Sequence, residues 1–433
     1  MKNKEIKHKI IMKYLYLTIF LVSFLVSSAQ ETIKVMSYNL LNFGNYTSYC
    51  NESNNSYLNK TQWLKTIIVN QNPDILAVCE LSSNPIYINH ILGNSLNTEG
   101  ETKWQKIDFT NIDHSYIING LFYDKNKFEY DAANSPEAVS TGIRDINIYR
   151  LKYRNLSDTY LHVVVAHLKA GNTSEDKIKR GEMTSKLMNR LNEYFDNQNN
   201  FIIVGDFNVY NSTEVGFQNL INPDNPLIAF YDPINQIGNW NNNSAYSKYH
   251  TQSTSINGDN CKASGGLDDR FDFILVNSSI LHGTKNIKYK ENSYKAVGQD
   301  GLRFNKDLLS PPNNSLPENV IDALSNMSDH LPIVAEFYMG QISTHLISQN
   351  QDFIANINCT LQGALNYEIK TDKPQELNVK IFSITGLTVY NDRVTAEHDK
   401  RYSYDLGFLS NGLYILNFES DGIFKSYKIM IQR

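Results

Sequence analysis

The chain has 433 residues, of which 41% are hydrophobic, and its formal net charge at pH 7 is −5. That length exceeds one ordinary domain and suits one large domain with a smaller one. The acidic balance excludes the global basic excess of a protein that coats nucleic acid stoichiometrically, although an enzyme needs only a local positive groove.

The first 29 residues have the pattern of a secretory signal peptide. Lysines at positions 2, 4, 7, 9 and 13 precede an apolar run from Tyr14 to Val26, and the small residues Ser27, Ser28 and Ala29 follow. The apolar run is shorter than the roughly 20 residues that a membrane-spanning helix needs. The pattern predicts cleavage after Ala29 and export, with a membrane anchor as the less favoured alternative.

Residues 31–340 alternate short apolar segments with longer polar or helix-like ones. The predicted strands are 33–38, 75–79, 120–123, 161–166, 201–204, 271–276 and 333–337, and the predicted helices are 59–70 and 174–194. Buried strands joined by helices predict a layered α/β fold. The stretch 210–267 is rich in Asn, Ser and Tyr, which predicts extended loops along a cleft.

Short alternating strands resume near residue 358, after a polar connector that we place at 341–357. The turn signals Thr385-Gly386, Asn411-Gly412 and Asp421-Gly422 punctuate this segment. We therefore expect a small C-terminal all-β sandwich over residues 358–433.

Polar side chains that can bind a metal or transfer a proton follow the predicted strands of the large domain. They are Asn39, Glu80, His167, Asp206, Asn208, Asp272, Asp329 and His330. A carboxylate that ends an apolar strand, as Glu80 does, is costly to bury unless it is metal-bound or ion-paired. Singly, each residue also suits a cap, an ion pair or a core histidine. Their shared placement at strand ends predicts one site.

The order of these residues resembles the endonuclease/exonuclease/phosphatase family. The motifs Gly205-Asp206-Phe207-Asn208 and Ser328-Asp329-His330 carry most of that resemblance. It implies a four-layered αββα sandwich over residues 31–340, with the active site at one end of two packed sheets, and a metal-dependent phosphodiesterase activity.

The resemblance also implies roles for the site residues. Glu80 is expected to be the principal metal ligand, with Asn39 and Asp329 as further metal-ligand candidates. Oxygen ligands without thiolates favour Mg²⁺, with Mn²⁺ and Ca²⁺ as alternatives. The expected catalytic residues are His167, Asp206, Asn208, Asp272 and His330, and the general base stays open between Asp206 and a pair formed by His330 and Asp272.

Three more residues are candidates for substrate contact. Asn119 begins the segment Asn119–Tyr123, which is similar to the central strand of the family, and Arg144 and Lys169 could contact a phosphate. For Arg144 and Lys169, a solvated surface position is the alternative.

The C-terminal segment resembles the sorting domain of type IX secretion substrates of Bacteroidetes-like bacteria. The residues that carry this resemblance are 379–386, 404–406, 409–416 and 428–433. It implies export through the type IX machinery to the cell surface or the medium. A generic β-sandwich that binds carbohydrate or packs on the enzyme is the alternative.

The four cysteines lack Cys-x-x-Cys spacing, which does not favour a zinc site. Cys50 and Cys261 lie in polar, loop-like sequence, and both a disulfide and free thiols remain open for them. Cys79 lies in an apolar run and is expected to be a buried thiol.

The leading functional hypothesis is a secreted nuclease, acting on DNA or RNA as an endonuclease. One alternative is a sphingomyelinase-like or other small-molecule phosphodiesterase, but the Asn- and Ser-rich loops lack the apolar hairpin of membrane-acting relatives. The other is an inactive, surface-displayed binding module, which the complete set of site residues disfavours. The sequence leaves the oligomeric state open.

Overall fold

The computed structural model describes residues 31–194, 200–340, 354–360, 363–369, 375–384, 386–397, 400–420 and 423–432. The predicted signal peptide and residues 341–353 of the predicted linker lie outside this range. The chain divides into two compact units, Met1–Ile342 and Ser343–Arg433. Among the described residues, no helix is both long and apolar enough to cross a membrane.

The first unit is built from strands and helices in alternation. In chain order its strands are β1 (Glu31–Phe43), β2 (Ile75–Ser82), β3 (Trp104–Lys106), β4 (Ile117–Asp124), β5 (Phe128–Tyr130), β6 (Asn147–Tyr153), β7 (Tyr160–His167), β8 (Asn200–Asp206), β9 (Phe230–Tyr231), β10 (Asp272–Asn277), β11 (Ile287–Tyr289), β12 (Lys295–Ala296) and β13 (Ile333–Met339). Its helices are α1 (Tyr57–Gln71), α2 (Pro85–Ile91), α3 (Ser174–Tyr194), α4 (Val215–Ile221), α5 (Ser278–His282) and α6 (Glu318–Met327).

These strands form two mixed sheets. The first has seven strands in the order β11-β13-β1-β2-β4-β3, with β12 also paired to β13, and the second has six in the order β5-β6-β7-β8-β10-β9. The sheets pack against each other, because one apolar cluster draws residues from both. In β2, for example, Ile75 and Ala77 belong to this inner cluster, whereas Leu76 and Val78 face the other way. This alternation follows from the two-residue period of a strand.

Helices cover the outer face of each sheet. Apolar residues of α1, α2 and α6 pack on the first sheet, and those of α3 and α4 pack on the second. Helix α1 ends where Asn72 adopts a left-handed conformation, with a φ of 43°. Asn tolerates that conformation better than most residues, and the following Pro73 cannot continue a helix.

The structure confirms the layered α/β prediction. Each predicted strand of the first unit overlaps a strand of the structure, and both predicted helices are present, the second with the same bounds. The stretch 210–267 contains α4, the two-residue strand β9 and short 3-10 turns, joined by loops.

The second unit consists of strands in its described residues. They are β14 (Ile354–Cys359), β15 (Ala364–Ile369), β16 (Gln375–Ser383), β17 (Thr388–Ala396), β18 (Lys400–Asp405), β19 (Gly412–Ser420) and β20 (Ile423–Ile431). They form a three-stranded sheet, β14-β15-β18, and a four-stranded sheet, β17-β16-β19-β20, which share one apolar cluster. Strand β14 begins at Ile354, inside the segment that the sequence assigns to the linker.

Candidate active site

The strand directions bring the polar side chains of the motifs to one edge of the two sheets. Each sheet contains one parallel pair, β1 with β2 and β7 with β8. Asn39 pairs with Cys79, which precedes Glu80, and His167 pairs with Asp206. The antiparallel strand β10 starts opposite Asp206, and β13 starts opposite Ser37. The carboxyl ends of the parallel strands therefore meet the amino ends of their antiparallel neighbours.

The backbone departs from regular strand geometry at this edge. The pairing of β1 with β2 shifts register between Asn39 and Phe43, and Leu41 and Asn42 have φ values of 46° and 52°. Glu80 itself has a φ of 56°. Positive φ costs a residue other than Gly or Asn about 1–3 kcal/mol, so the surroundings must hold Leu41 and Glu80 in place. Such strain is common at functional sites.

Asn39 connects two carboxylates. Its Nδ2 donates to Glu80 Oε1 at 3.1 Å and to Asp206 Oδ2 at 3.0 Å, while its Oδ1 accepts from the backbone of Leu41. The other Glu80 oxygen, Oε2, accepts from the backbone N–H of Asn42 at 3.0 Å. Asn39 thus orients both carboxylates, and its own oxygen is already used.

Asp206 and His330 form the buried centre of the cluster. His330 Nδ1 lies 2.8 Å from Asp272 Oδ2, and its Nε2 lies 3.7 Å from Asp206 Oδ2. Burial alone would lower the pKa of His330, but the carboxylates of Asp272 and Asp206 raise it well above its usual value. Burial, helped by Asp272 and Glu80 and opposed by His330, raises the pKa of Asp206 to about 7.

His167 lies on the other side of Asp206. Its Nε2 is 3.6 Å from Asp206 Oδ2 and 3.7 Å from Glu80 Oε1, and Arg144 Nη1 is 2.6 Å from its Nδ1. Burial, with Arg144 and His330 nearby, holds the pKa of His167 well below its usual value. A neutral imidazole results, and since the Arg144 guanidinium can only donate, Nδ1 accepts and Nε2 carries the proton. Nε2 can bind a metal ion only in the other tautomer, which requires Arg144 Nη1 to move away from Nδ1.

Asp329 lies beside this centre and is held by a loop. Its Oδ2 accepts from Gln252 Nε2 at 3.2 Å and from the backbone N–H of Ala263 at 3.0 Å. Gln252 Nε2 is also 2.8 Å from His330 Nε2, so this amide must turn away before a protonated imidazole can donate from Nε2 to another group. The Oδ1 atoms of Asp329 and Asp272 are buried and have no hydrogen-bond partner among the described residues.

A divalent cation fits this donor set. Ligand atoms of Glu80, His167 and Asp206 all lie within 4.8 Å of one another, and Glu80, with 16% of its side chain exposed, provides the opening to solvent. The carboxylates of Glu80 and Asp206 repel each other at this distance, and a cation would offset that repulsion. Of the three predicted ligands, Glu80 belongs to this group. Asn39 orients the carboxylates, and Asp329 lies outside this group, although its buried Oδ1 has no hydrogen-bond partner among the described residues.

The remaining predicted residues occupy different positions. Asn208 Nδ2 donates to the Leu168 carbonyl, and its backbone N–H donates to Asp206 Oδ1. Asn119 is buried between the sheets, where its Nδ2 donates to three acceptors from β6, β7 and the segment before β6. Lys169 pairs with Asp176 at 2.8 Å. Asn208 therefore joins the cluster, whereas Asn119 and Lys169 are engaged elsewhere.

Two of these contacts could not be predicted from the sequence. Gln252, which bridges Asp329 and His330, is a single polar residue in a long polar stretch. The contact between Arg144 and His167 spans two segments that no motif connects. For Gln252, the relevant prediction was that the loops of residues 210–267 border a cleft.

A disulfide joins Cys50 to Cys261, which resolves the alternative left open by the sequence. Cys79 is a buried free thiol, as expected. Cys261 lies two residues before Ala263, and Cys50 is contacted by Asn42 through its Nδ2. The bond therefore links the loop that contains Ala263, a donor to Asp329, to a cysteine that contacts Asn42, the residue whose backbone N–H donates to Glu80.

Comparison with known families adds an assignment for the second unit. Residues 361–432 match the family described as "Secretion system C-terminal sorting domain". This match confirms the resemblance of that segment to a secretion sorting domain. No curated protein gives a significant match to the chain.

Several solved structures are similar to the chain. The human Nocturnin catalytic domain with bound sulfate is 16% identical, with coverage of 71% of this chain and 95% of that one and a TM-score of 0.44. An endonuclease/exonuclease/phosphatase from Beutenbergia cavernae is 11% identical, with coverage of 93% and 100% and a TM-score of 0.47. An endonuclease/exonuclease/phosphatase family protein from Bacteroides thetaiotaomicron is 14% identical, with coverage of 72% and 99% and a TM-score of 0.44. Identity is low in each case, so the function must be inferred from this chain's own side chains.

Proposed function

We propose that this protein is a secreted, divalent-cation-dependent phosphodiester hydrolase that acts as a nuclease. The observation that carries the proposal is the convergence of Glu80, Asp206, Asp272 and Asp329 with His167 and His330 at one edge of the two sheets. Such a concentration of buried acids beside two histidines is costly to stability, which indicates a functional rather than a structural role.

A bound cation would neutralise phosphate charge at this otherwise acidic edge and polarise the phosphoryl group. Glu80, His167 and Asp206 would hold it. Mg²⁺ is our preferred ion because carboxylate oxygens dominate the donor set, and Mn²⁺ and Ca²⁺ are the alternatives. The imidazole in the set also suits Mn²⁺.

The side chains divide the work of hydrolysis as follows. Asp206 accepts a proton from the attacking water, which Asn208 helps to orient, and the water oxygen bonds to phosphorus as the bond to the leaving oxygen breaks. The leaving oxygen takes up a proton from solvent. His330, which Asp272 keeps protonated and oriented, donates to the phosphoryl oxygens as negative charge builds up. Arg144 supplies positive charge beside His167, close to the scissile phosphate.

Exposed tyrosines near the cluster favour a nucleic acid as the substrate. Tyr116 is 82% exposed, and its carbonyl accepts from the backbone of Ser83, three residues beyond Glu80. Tyr49, which is 65% exposed, precedes the disulfide residue Cys50. Exposed aromatic rings beside a phosphodiester site can stack on unpaired bases without strong sequence preference.

We further propose the finer architecture that the motifs implied. Residues 31–340 would be the catalytic domain, a four-layered αββα sandwich, because each sheet has one face on the other sheet and one on helices. Residues 358–433, together with the start of β14 at Ile354, would be a β-sandwich read by the type IX secretion machinery. With a signal peptide over 1–29, these features direct the protein to the cell surface or the medium.

One assay panel tests the activity. The full chain is incubated with plasmid DNA, RNA, sphingomyelin and bis(4-nitrophenyl) phosphate, each with Mg²⁺ or EDTA. We expect cleavage of nucleic acid with Mg²⁺ and none with EDTA. Glu80→Ala, Asp206→Ala and His330→Ala should each lower the rate by about 10² or more.

The controls separate the alternatives. Lys169→Ala, which removes a surface ion pair outside the cluster, should leave the rate close to that of the wild type. Turnover of sphingomyelin alone would overturn the nuclease assignment and keep the hydrolase. Binding without turnover of any of the four substrates would overturn both.

A further inference from the structure

Lys60 is a buried lysine beneath the candidate active site. It lies in the first turn of α1, only 1% of its surface is exposed, and its Nζ donates to three oxygens. These are the carbonyls of Leu40 and Leu41, at 2.6 and 2.7 Å, and Asn55 Oδ1, at 2.7 Å. All three acceptors are uncharged.

This position is unfavourable for a lysine on general grounds. Burial of an ammonium group is costly, and a positive charge near the amino end of a helix opposes the helix dipole. Burial lowers the pKa of Lys60 to about 7, and the charges of Asp329 and Glu80 oppose that change. A lysine that is retained despite this cost must stabilise a feature that an apolar side chain could not, and here Lys60 donates to backbone carbonyls.

The carbonyls that Lys60 binds belong to the bulge at the end of β1. This bulge carries the positive φ values of Leu41 and Asn42, and it turns the Asn42 N–H toward Glu80 Oε2. A chain of contacts therefore links the Lys60 ammonium group, through the backbone of the bulge, to the Glu80 carboxylate. Glu80 is the member of the cluster that opens to solvent.

Asn55 holds the same bulge from a second direction. It is buried, and its Nδ2 donates to the carbonyls of Leu41 and Asn42 at 3.0 and 3.1 Å. Lys60 and Asn55 together supply the carbonyls of residues 40–42 with donors, where the ladder to β2 is interrupted. A strained backbone persists only when its surroundings define it in this way.

We propose that Lys60 is a positioning residue for the cation site, which it serves by fixing the bulge that aims Asn42 at Glu80. The inference deepens the proposed function and rests on it, since it requires that the cluster bind a cation. Lys60 contacts neither cation nor substrate, and its effect is transmitted through the backbone.

A second lysine provides a matched control. Lys34 also joins β1 to α1, since its Nζ donates to the Gln71 carbonyl at 2.8 Å at the far end of the helix. Its loss should weaken the contact between strand and helix without touching the bulge. Lys34→Met and Lys60→Met therefore remove the same group at opposite ends of one interface.

The test measures Mn²⁺ binding by isothermal titration calorimetry on the full chain, below the unfolding temperature of each variant. Lys60→Met should weaken Mn²⁺ binding by about 10- to 100-fold, as loss of residues that support metal ligands commonly does. Lys34→Met should change the Mn²⁺ affinity by less than about twofold, and we treat a change within that range as no change. If Lys60→Met does not fold, Asn55→Ala takes its place, with weaker Mn²⁺ binding expected in the same direction.

The outcomes separate this inference from the function on which it rests. Equal Mn²⁺ affinity for wild type and Lys60→Met, with lower thermal stability only, would show that Lys60 is merely structural. Equal weakening by Lys34→Met would likewise overturn a specific role. A wild-type chain that binds no Mn²⁺ would overturn the cation site itself, and with it the role of Lys60.

Discussion

Asp272 Oδ2 lies 2.8 Å from His330 Nδ1, so a fully buried carboxylate fixes the ring whose other nitrogen faces Asp206. The backbones of Asp272 and Asp206 are also direct partners in the ladder between β10 and β8. The two acids on either side of His330 are thus set by strand register, not by flexible loops.

This relationship predicts the effect of Asp272→Asn. The amide cannot hold the imidazole in its charged form, so the rate should fall by about 10² to 10⁴. Asp272 raises the pKa of His330, and its loss should lower that pKa. His330 would then lose its proton at a lower pH, so the alkaline limb of the pH–rate profile should shift to lower pH. An unchanged profile in a folded variant would contradict the role given to His330.

Cation affinity should depend on pH through Asp206. Burial, with Asp272 and Glu80 nearby, raises the pKa of Asp206 to about 7, and a cation binds only the deprotonated carboxylate. Affinity should therefore fall by up to about tenfold per pH unit below pH 7 and level off above it. Calorimetry at pH 5.5 and pH 8, in buffers of different ionisation enthalpy, should also show proton release at the lower pH. The same affinity at both values would contradict this.

Asp269→Asn should increase stability at alkaline pH. Burial, with some help from Asp268, raises the pKa of Asp269 to about 7, against the hydrogen bond from Asn241 and the charge of His330. The folded state then binds more protons than the unfolded state between about pH 4 and 7, so stability falls as the pH rises through that window. Since the residue is partly exposed, the gain at pH 8 should be about 1–2 kcal/mol.

Urea unfolding without added metal measures this difference. At pH 4 the wild type and Asp269→Asn should have nearly equal stability, because the wild-type carboxyl is then protonated in the folded state. A variant that is less stable than the wild type at pH 8 would refute the assignment.

Removal of the disulfide should lower stability strongly. Cys50 and Cys261 are 211 residues apart, and cross-linking a loop of that size stabilises a fold by on the order of 5 kcal/mol in the chain-entropy treatment. The double variant Cys50→Ser/Cys261→Ser should unfold at a much lower temperature, and the wild type in reductant should approach it. Cys359→Ser, at a free cysteine of the second unit, is the control and should have no such effect.

Tyr116→Ala should affect long substrates selectively. Loss of a stacked base costs about 1–3 kcal/mol, so KM for a single-stranded oligonucleotide should rise by about 5- to 150-fold. Hydrolysis of bis(4-nitrophenyl) phosphate, which has no neighbouring base, should stay near the wild-type rate. Tyr116→Phe keeps the ring and should behave as wild type. Equal losses on both substrates would exclude a stacking role.

The sequence could predict the site largely because strand ends are visible in it. Apolar runs end at Asn39, Glu80, His167 and Asp206, and the two parallel pairs carry those ends to the same edge. The hydrophobic pattern and the geometry of parallel strands were sufficient to predict the positions of these residues.

The supporting residues could not be predicted in the same way. Lys60 appears in the sequence as an ordinary polar helix residue, and its burial depends on the bulge that it contacts. Asn119 directly precedes the predicted strand 120–123, but its side chain bonds to the other sheet, which depends on how the sheets pack. Contacts between elements distant in sequence leave no periodic signal.

The Asp329-His330 motif reaches the site only through one of the last segments of the first unit to be synthesised. Ser328 Oγ donates to the Asn39 carbonyl at 2.8 Å, and β13 then pairs with β1 along most of its length. A nascent chain lacks both contacts until the ribosome has passed residue 339, and long-range pairings of this kind form slowly. The proposed site can therefore form only after the chain has been synthesised through residue 339, long after the segments that carry Asn39 and Glu80.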